Sequence, residues 1–122
     1  MDQNTVVYIE DNEINAKIME QYFKSKTHLN LKIAGTGHEA LELLKQLKSV
    51  HAILMDLYLP DMSGFDLIKQ VRANDNFKLT PIIAVTAESV EKQKFIDAGF
   101  NDAIEKPVKF EYLKKLVESW KD

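Results

Sequence analysis

Short apolar runs alternate strictly with longer stretches of helical period, and this alternation constrains the fold more than any other feature of the chain. The helical stretches carry apolar residues at steps of three and four, as the first does at Ile14, Ile18, Tyr22 and Phe23. The fourth stretch predicts a short helix over 90–98, ended by Gly99. The runs predicted as strands are 5–9, 29–34, 52–55, 82–85 and 103–105. Five strands alternating with five helices predict an α/β protein.

Strict alternation requires parallel strands that are joined by right-handed crossovers. Five such units fit a doubly wound sheet with helices on both faces, whereas a barrel needs eight. Of the two common strand orders, five strands favour the flavodoxin-like order 2-1-3-4-5. The chain has 122 residues, which is too short for two ordinary domains, and it contains no repeat or linker. Residues 1–122 are therefore predicted to form one domain.

Composition and charge exclude several classes of protein. The absence of cysteine rules out disulfides, a thiolate nucleophile and Cys-ligated zinc. A net charge of −3 provides no basic surface for nucleic acid. No apolar run reaches the length of a membrane span, and the first residues lack the pattern of a secretory signal. We therefore expect a cytoplasmic protein that contacts neither nucleic acid nor membrane.

Polar side chains follow the predicted strands at the carboxyl end of the sheet. Ligands bind at this edge, where the strand order reverses between strands 1 and 3. Strand 1 is followed by Glu10 and Asp11, strand 3 by Asp56, strand 4 by Thr86 and strand 5 by Lys106. Like charges about 5 Å apart repel by roughly 3 kcal/mol at an effective dielectric near 20, so the three acids need a cation. Because the site offers oxygen ligands only, Mg²⁺ is the expected ion.

Asp56 is the expected reactive member of this set, because it ends the central apolar strand and meets an abrupt loop. A carboxylate beside a metal can attack phosphorus and form an acyl phosphate. Such a transfer depends on positioning and charge neutralisation, for which Lys106 offers a positive charge and Thr86 a hydroxyl donor. A simpler interpretation is that the acids start a helix, with Asp11 or Asn12 as its N-cap. That interpretation explains one acid but not the whole set.

Four segments, taken together and in this order, resemble those of the receiver domain of two-component response regulators. The segments are the acidic pair 10–11, the block 56–64, Thr86-Ala87 and Lys106-Pro107. The resemblance covers essentially the full length, and the stretch 10–15 looks especially like receivers of hybrid sensor kinases and phosphorelays. It implies a phosphoacceptor domain in signal transduction, which slowly dephosphorylates itself, rather than an independent enzyme.

The resemblance also implies a role for each matching residue. Asp56 would accept a phosphoryl group from the phosphohistidine of a sensor histidine kinase or a histidine phosphotransfer protein. Asp11 and Asp56 would bind Mg²⁺ directly. The backbone carbonyl of Tyr58 would be a further ligand, and Glu10 would act through a water molecule.

The remaining implied roles concern the switch that follows phosphorylation. Lys106 would contact Asp56 and then the phosphoryl oxygens. Thr86 would swing inward to the phosphate and so bias the surface formed by helix 4, strand 5 and helix 5. The resemblance further implies a cis peptide bond between Lys106 and Pro107, which is uncommon among X-Pro bonds.

Some positions depart from the family pattern or have two interpretations. Ala103 stands where the family often has an aromatic ring that moves with the threonine, so we expect the loop after Thr86 to transmit activation through backbone shifts. Tyr58 and Glu88 are predicted to flank the path of attacking water, and the bulk of Tyr58 would slow hydrolysis; a loop aromatic without that effect is the alternative. Ile14 is predicted to be a core residue, with a contact to the donor's helix as the alternative.

Two other functions compete with phosphotransfer. The segment 35–40 matches the G-x-G-x-x-A dinucleotide fingerprint, in which Gly35 and Gly37 would approach a pyrophosphate. However, that fingerprint normally follows the first strand of its unit, whereas this one follows strand 2 at the sheet edge. The other alternative is a receiver-like interaction module that no longer transfers phosphate, against which the set Asp56, Thr86 and Lys106 argues.

Overall fold

The computed structural model describes residues 4–120, in which strands and helices alternate as predicted. The strands are β1 (Thr5–Ile9), β2 (Asn30–Ala34), β3 (Ala52–Asp56), β4 (Ile82–Thr86) and β5 (Asp102–Glu105). The helices are α1 (Glu13–Lys26), α2 (Gly37–Leu47), α3 (Gly64–Ala73), α4 (Lys92–Ala98) and α5 (Phe110–Ser119), with a 3₁₀ turn at Asp75–Phe77. The bounds of each strand agree with the predicted ones to within about one residue, whereas α4 begins two residues later than the helix predicted over 90–98.

The strands form one parallel sheet in the order β2-β1-β3-β4-β5, which confirms the predicted fold class. The strand order reverses between β1 and β3, because the chain first extends the sheet to one side of β1 and then to the other. The register pairs Ile9 with Met55. Glu10 and Asp56, the next residues, therefore leave neighbouring strands at the same level, where a doubly wound sheet places its binding site.

The two faces of the sheet pack against different helices. Val7 and Ile9 belong to a core shared with α2, α3 and α4, whereas Val6 and Tyr8 belong to a core shared with α1 and α5. β1, β3 and β4 are buried along their whole length, which is why they form continuous apolar runs in the sequence. Among the described residues, no helix combines the length and the apolar character that crossing a bilayer requires.

The buried face of α1 includes Phe23 of the predicted stripe but neither Ile14 nor Ile18. Its buried residues are Ala16, Met19 and Phe23, at steps of three and four. Ile14 is 70% exposed, so the prediction that it is a core residue is wrong. The physical reason is the helical period, since 3.6 residues per turn place Ile14 and Ile18 on the opposite side of the helix from Phe23.

Candidate functional site

Side chains from four strand ends lie along the carboxyl edge of the sheet. Lys106 Nζ lies 3.0 Å from Glu10 Oε1 and 3.2 Å from Asp56 Oδ2, so its ammonium group pairs with both carboxylates. Glu10 and Asp56 are only 2% and 7% exposed, and Thr86 at the end of β4 is fully buried. The strand-end positions predicted from the sequence therefore do converge at the carboxyl edge.

Three acids form a compact cluster at this edge. One carboxylate oxygen from each of Glu10, Asp11 and Asp56 lies within 4.8 Å of the others. Asp11 is exposed, so the cluster opens to solvent on its side. Asn12, and not Asp11, caps α1 by accepting a hydrogen bond from Asn15 N, so helix capping does not account for the acids. A donor set of carboxylates suits a hard divalent cation, and the residues present therefore fit Mg²⁺.

Burial and mutual contacts divide the charge of the cluster unequally. Burial raises the pKa of Asp56, and the neighbouring carboxyl group of Glu10 raises that pKa further. Burial also penalises the charged form of Glu10, but its interactions with the neighbouring Asp56 carboxyl group and with the Lys106 ammonium group outweigh that penalty and lower the pKa of Glu10. For Lys106, burial is outweighed by the two carboxylates, which raise its pKa above the usual value. The pKa values of the two acids are thus shifted in opposite directions, upward for Asp56 and downward for Glu10.

The turn that follows Asp56 requires a glycine at position 64. The Gly64 N–H donates to the Leu57 carbonyl oxygen at 2.7 Å, so the chain passes directly over the end of β3. A Cβ atom on residue 64 would lie 2.9 Å from Leu57 Cα and 3.0 Å from the carbonyl oxygen of Asp56. Both are backbone atoms that cannot rotate away. The glycine therefore lets the loop close on Asp56, whose Oδ1 accepts the Tyr58 N–H at 3.1 Å.

Asp61 makes a contact that sequence reasoning missed, because its partners are more than 20 residues away. Its carboxylate accepts the N–H groups of Gly37 and His38, at 2.8 and 3.0 Å. The bond from Gly37 above all, with those from His38, outweighs the effect of burial and lowers the pKa of Asp61 to about 2. The amide groups at the start of α2 that a dinucleotide pyrophosphate would need are thus already used inside the protein. Gly37 packs against Met62, whose flexible side chain would have to move for a Cβ atom, since Sδ lies 2.5 Å from that position.

Tyr58 and Glu88 meet across the mouth of the site. The Tyr58 hydroxyl donates to a Glu88 carboxylate oxygen, and this bond raises the pKa of Tyr58. The Glu88 N–H donates in turn to Thr86 Oγ1 at 3.1 Å. The loops after β3 and β4 are therefore joined beside Asp56.

Two positions in and after β5 were discussed with the family resemblance, the Lys106–Pro107 peptide bond and Ala103. The peptide bond between Lys106 and Pro107 is cis, as predicted. Ala103 is buried in the core that also contains Phe95 and Phe100 of the α4 region. Its methyl group has no rotamers, so it cannot act as the moving aromatic ring that the family often has at this position.

The sequence matches the response regulator receiver domain over residues 6–118, and the chain belongs to this family. Relatives include the response regulator mcs4 of Schizosaccharomyces pombe, which is 34% identical over 94% of this chain and 27% of the relative. The histidine-protein kinase BarA of Escherichia coli is 32% identical over 96% of this chain and 13% of the relative. The chain thus spans about a quarter or less of these two proteins, and it resembles receivers of hybrid kinases and response regulators.

Solved receiver domains share the fold. The receiver domain of the sensor histidine kinase PA1611 from Pseudomonas aeruginosa, with a magnesium ion in its active-site cleft, superposes with a TM-score of 0.85 at 28% identity, covering 97% of both chains. The receiver domain of Ssk1 from Saccharomyces cerevisiae, in complex with the histidine phosphotransfer protein Ypd1, gives a TM-score of 0.83 at 32% identity. That match covers 98% of this chain and 89% of the other.

Proposed function

We propose that this domain is a magnesium-dependent phosphoacceptor in a two-component or phosphorelay system. The observation that carries the proposal is the position of Lys106 Nζ between Asp56 and Glu10, with an oxygen of Asp11 within 4.8 Å of both acids. Three acids and one cation at the end of a buried strand are poorly explained by folding alone, since each buried charge costs free energy unless it is compensated. Phosphoryl transfer uses these charges directly.

In the proposed reaction, an Asp56 Oδ atom attacks the phosphorus atom of a donor phosphohistidine. A phosphorus–oxygen bond forms, the phosphorus–nitrogen bond breaks, and the electron pair of that bond leaves with the imidazole. Lys106 stays paired with Asp56 and then neutralises charge on the phosphoryl oxygens. Asp11, Asp56 and the Tyr58 backbone carbonyl would hold Mg²⁺ directly, and Glu10 would act through water. The bound ion would neutralise further negative charge on the phosphoryl group.

The proposed donor is a sensor histidine kinase or a histidine phosphotransfer protein, and such a donor places the domain in the cytoplasm. Support comes from the surface beside the acids, where Ile14 is 70% and Ile18 50% exposed. A groove of about 480 Å³ adjoins them and is lined in part by Asn15, Pro107 and Phe110. An apolar helix face of the donor would bury these side chains while presenting its histidine to Asp56.

The proposed partners do not include nucleic acid, because a net charge of −3 does not favour binding to a polyanion.

Phosphorylation is proposed to switch the surface formed by α4, β5 and α5. Thr86 is fully buried, and its Oγ1 accepts the Glu88 N–H at 3.1 Å. Turning this hydroxyl toward a phosphoryl group would break that bond and release the loop that leads to α4. Because Ala103 has no ring to rotate, the shift would pass through the backbone of this loop.

The decisive experiment is incubation with Mg²⁺ and a small acyl phosphate, followed by measurement of the intact mass. The wild-type protein is expected to gain the mass of one phosphoryl group, and Asp56→Asn is expected to gain none, because the amide is not a nucleophile. Asp66→Asn makes the same substitution at an exposed residue of α3; this variant is the matched control and should behave as wild type. A wild-type protein that gains no mass would instead favour an interaction module without phosphotransfer.

Replacing Tyr58 with asparagine is expected to accelerate loss of the phosphoryl group by about tenfold. In this proposal the Tyr58 ring, held by its bond to Glu88, covers the approach of water to Asp56, and the smaller asparagine side chain would open that approach. A tenfold faster loss corresponds to a barrier that is lower by about 1.4 kcal/mol. The decay of phosphorylated protein, followed by intact mass after the donor is removed, measures the effect. Tyr112→Asn, which changes an exposed tyrosine of α5, is the control. Equal decay rates for Tyr58→Asn and wild type would show that Tyr58 is a surface aromatic without this role.

A further inference from the structure

Tyr8 is a core residue whose hydroxyl group reaches the acidic cluster. Its side chain is 2% exposed and lies in the core shared with α1 and α5. Because alternate residues of a strand share a face, residues 8 and 10 point to the same side of β1. The phenol is long enough to span that distance, and the Tyr8 hydroxyl donates to Glu10 Oε1 at 3.0 Å.

Three donors converge on that single oxygen of Glu10. Besides the Tyr8 hydroxyl, Glu10 Oε1 accepts Lys106 Nζ at 3.0 Å and Asn15 Nδ2 at 3.4 Å. The other oxygen, Oε2, accepts the Asn12 N–H at 3.4 Å, which is a long bond. Oε1 therefore accepts three of the four hydrogen bonds that hold the carboxylate, and Oε2 accepts only one long bond.

A purely structural tyrosine would not need this arrangement. Valine, isoleucine or phenylalanine would fill a buried strand position without placing a hydroxyl group in the core. A buried hydroxyl group requires a hydrogen-bond partner, and for Tyr8 the Glu10 carboxylate is that partner. The hydrogen bond to a charged acceptor is in turn stronger than a neutral one, so it restricts the orientation of the carboxylate.

We propose that Tyr8 is a positioning residue of the metal site, whose hydroxyl fixes Glu10 through Oε1 and so leaves Oε2 oriented toward the cation or its bound water. This role rests on the proposed function, since it assumes that the acids bind Mg²⁺. It differs from a ligand role, because Tyr8 acts only through Glu10. Partners that orient metal-binding carboxylates typically change metal affinity by ten- to a hundredfold when they are removed.

The test is the dissociation constant of Mg²⁺, measured by isothermal titration calorimetry in the absence of any phosphodonor. Tyr8→Phe keeps the ring in the core and removes only the hydroxyl, so the fold is expected to persist; thermal unfolding without Mg²⁺ verifies this. We expect Tyr8→Phe to weaken Mg²⁺ binding about tenfold. Tyr22→Phe is the matched control, because the Tyr22 hydroxyl makes no hydrogen bond within residues 4–120 while its ring stacks on Phe110.

A double-mutant cycle separates positioning from general packing. If Tyr8 acts through Glu10, then Tyr8→Phe has little further effect once Glu10→Gln has removed the carboxylate. Tyr8→Phe that binds Mg²⁺ within twofold of wild type would overturn the role of Tyr8, while the magnesium site itself would stand. An equal loss of affinity in both backgrounds would also overturn it. If the wild-type protein binds no Mg²⁺ at all, the proposed function fails, and this role fails with it.

Discussion

Replacing Arg72 with alanine is expected to lower the free energy of unfolding by about 3 kcal/mol, because the guanidinium group satisfies backbone carbonyls from two separate loops. Arg72 Nη1 donates to the carbonyl oxygens of Phe77 and Thr80, both at 2.7 Å. Arg72 Nη2 donates to the carbonyl oxygen of Gly99 at 2.8 Å and to Asn101 Oδ1 at 2.9 Å. One side chain of α3 thus joins the segment before β4 to the end of α4.

Removal of the guanidinium leaves these acceptors without their donor, and water has limited access to them. Phe77 and Thr80 are buried residues, and the Asn101 side chain also accepts the Ile82 N–H at 2.9 Å, so the start of β4 is affected as well. Urea unfolding measures the change in free energy. Lys69→Ala is the matched control, because it removes an exposed cation from the same helix and is expected to change stability by less than about 0.5 kcal/mol. A similar small change in Arg72→Ala would show that these hydrogen bonds add little.

The strands and their order were predictable because the physical constraint acts along the chain itself. A strand buried on both faces has to be apolar throughout, as Ala52–Asp56 is up to its last residue, and parallel strands require the intervening helices. The strand ends then place Glu10, Asp56 and Lys106 at one edge, whatever the details of packing. This part of the site follows from topology, and it was predicted from the sequence.

The orientation of a helix and the partners of long side chains were not predictable in this way. Ile14 and Ile18 are four residues apart, which is as regular a helical spacing as that of the buried residues Ala16, Met19 and Phe23. Only the packing of α1 decides which of the two series is buried. The charged end of Arg72 likewise bonds to loops that the apolar pattern of its helix does not describe. Contacts of this kind depend on distances between helices, strands and loops, and the hydrophobic periodicity of the sequence contains no information about those distances.

Replacing Lys106 with methionine is expected to slow phosphorylation of Asp56 by a small acyl phosphate about 10²- to 10³-fold. Lys106 Nζ lies 3.2 Å from Asp56 Oδ2, where it can stabilise the negative charge of the transferring phosphoryl group. Methionine retains the apolar stem and removes only the charge. The initial rate of phosphorylation at saturating Mg²⁺, followed by intact mass, measures the effect. Lys109→Met, which removes an exposed charge three residues later, is the control and should keep the wild-type rate.

The same variant separates a role in transfer from a role in holding the acids together. Without the ammonium group, the carboxylates of Glu10 and Asp56 face each other at a buried site, and their repulsion has to be relieved by a proton or by a cation. Lys106→Met is therefore expected to bind Mg²⁺ no more weakly than wild type, while its phosphorylation rate falls. If the rate and the Mg²⁺ affinity fell in parallel, Lys106 would be a residue that assembles the acidic cluster, and the loss of activity would follow from the loss of the cation. A fall in rate alone would assign its charge to the phosphoryl oxygens.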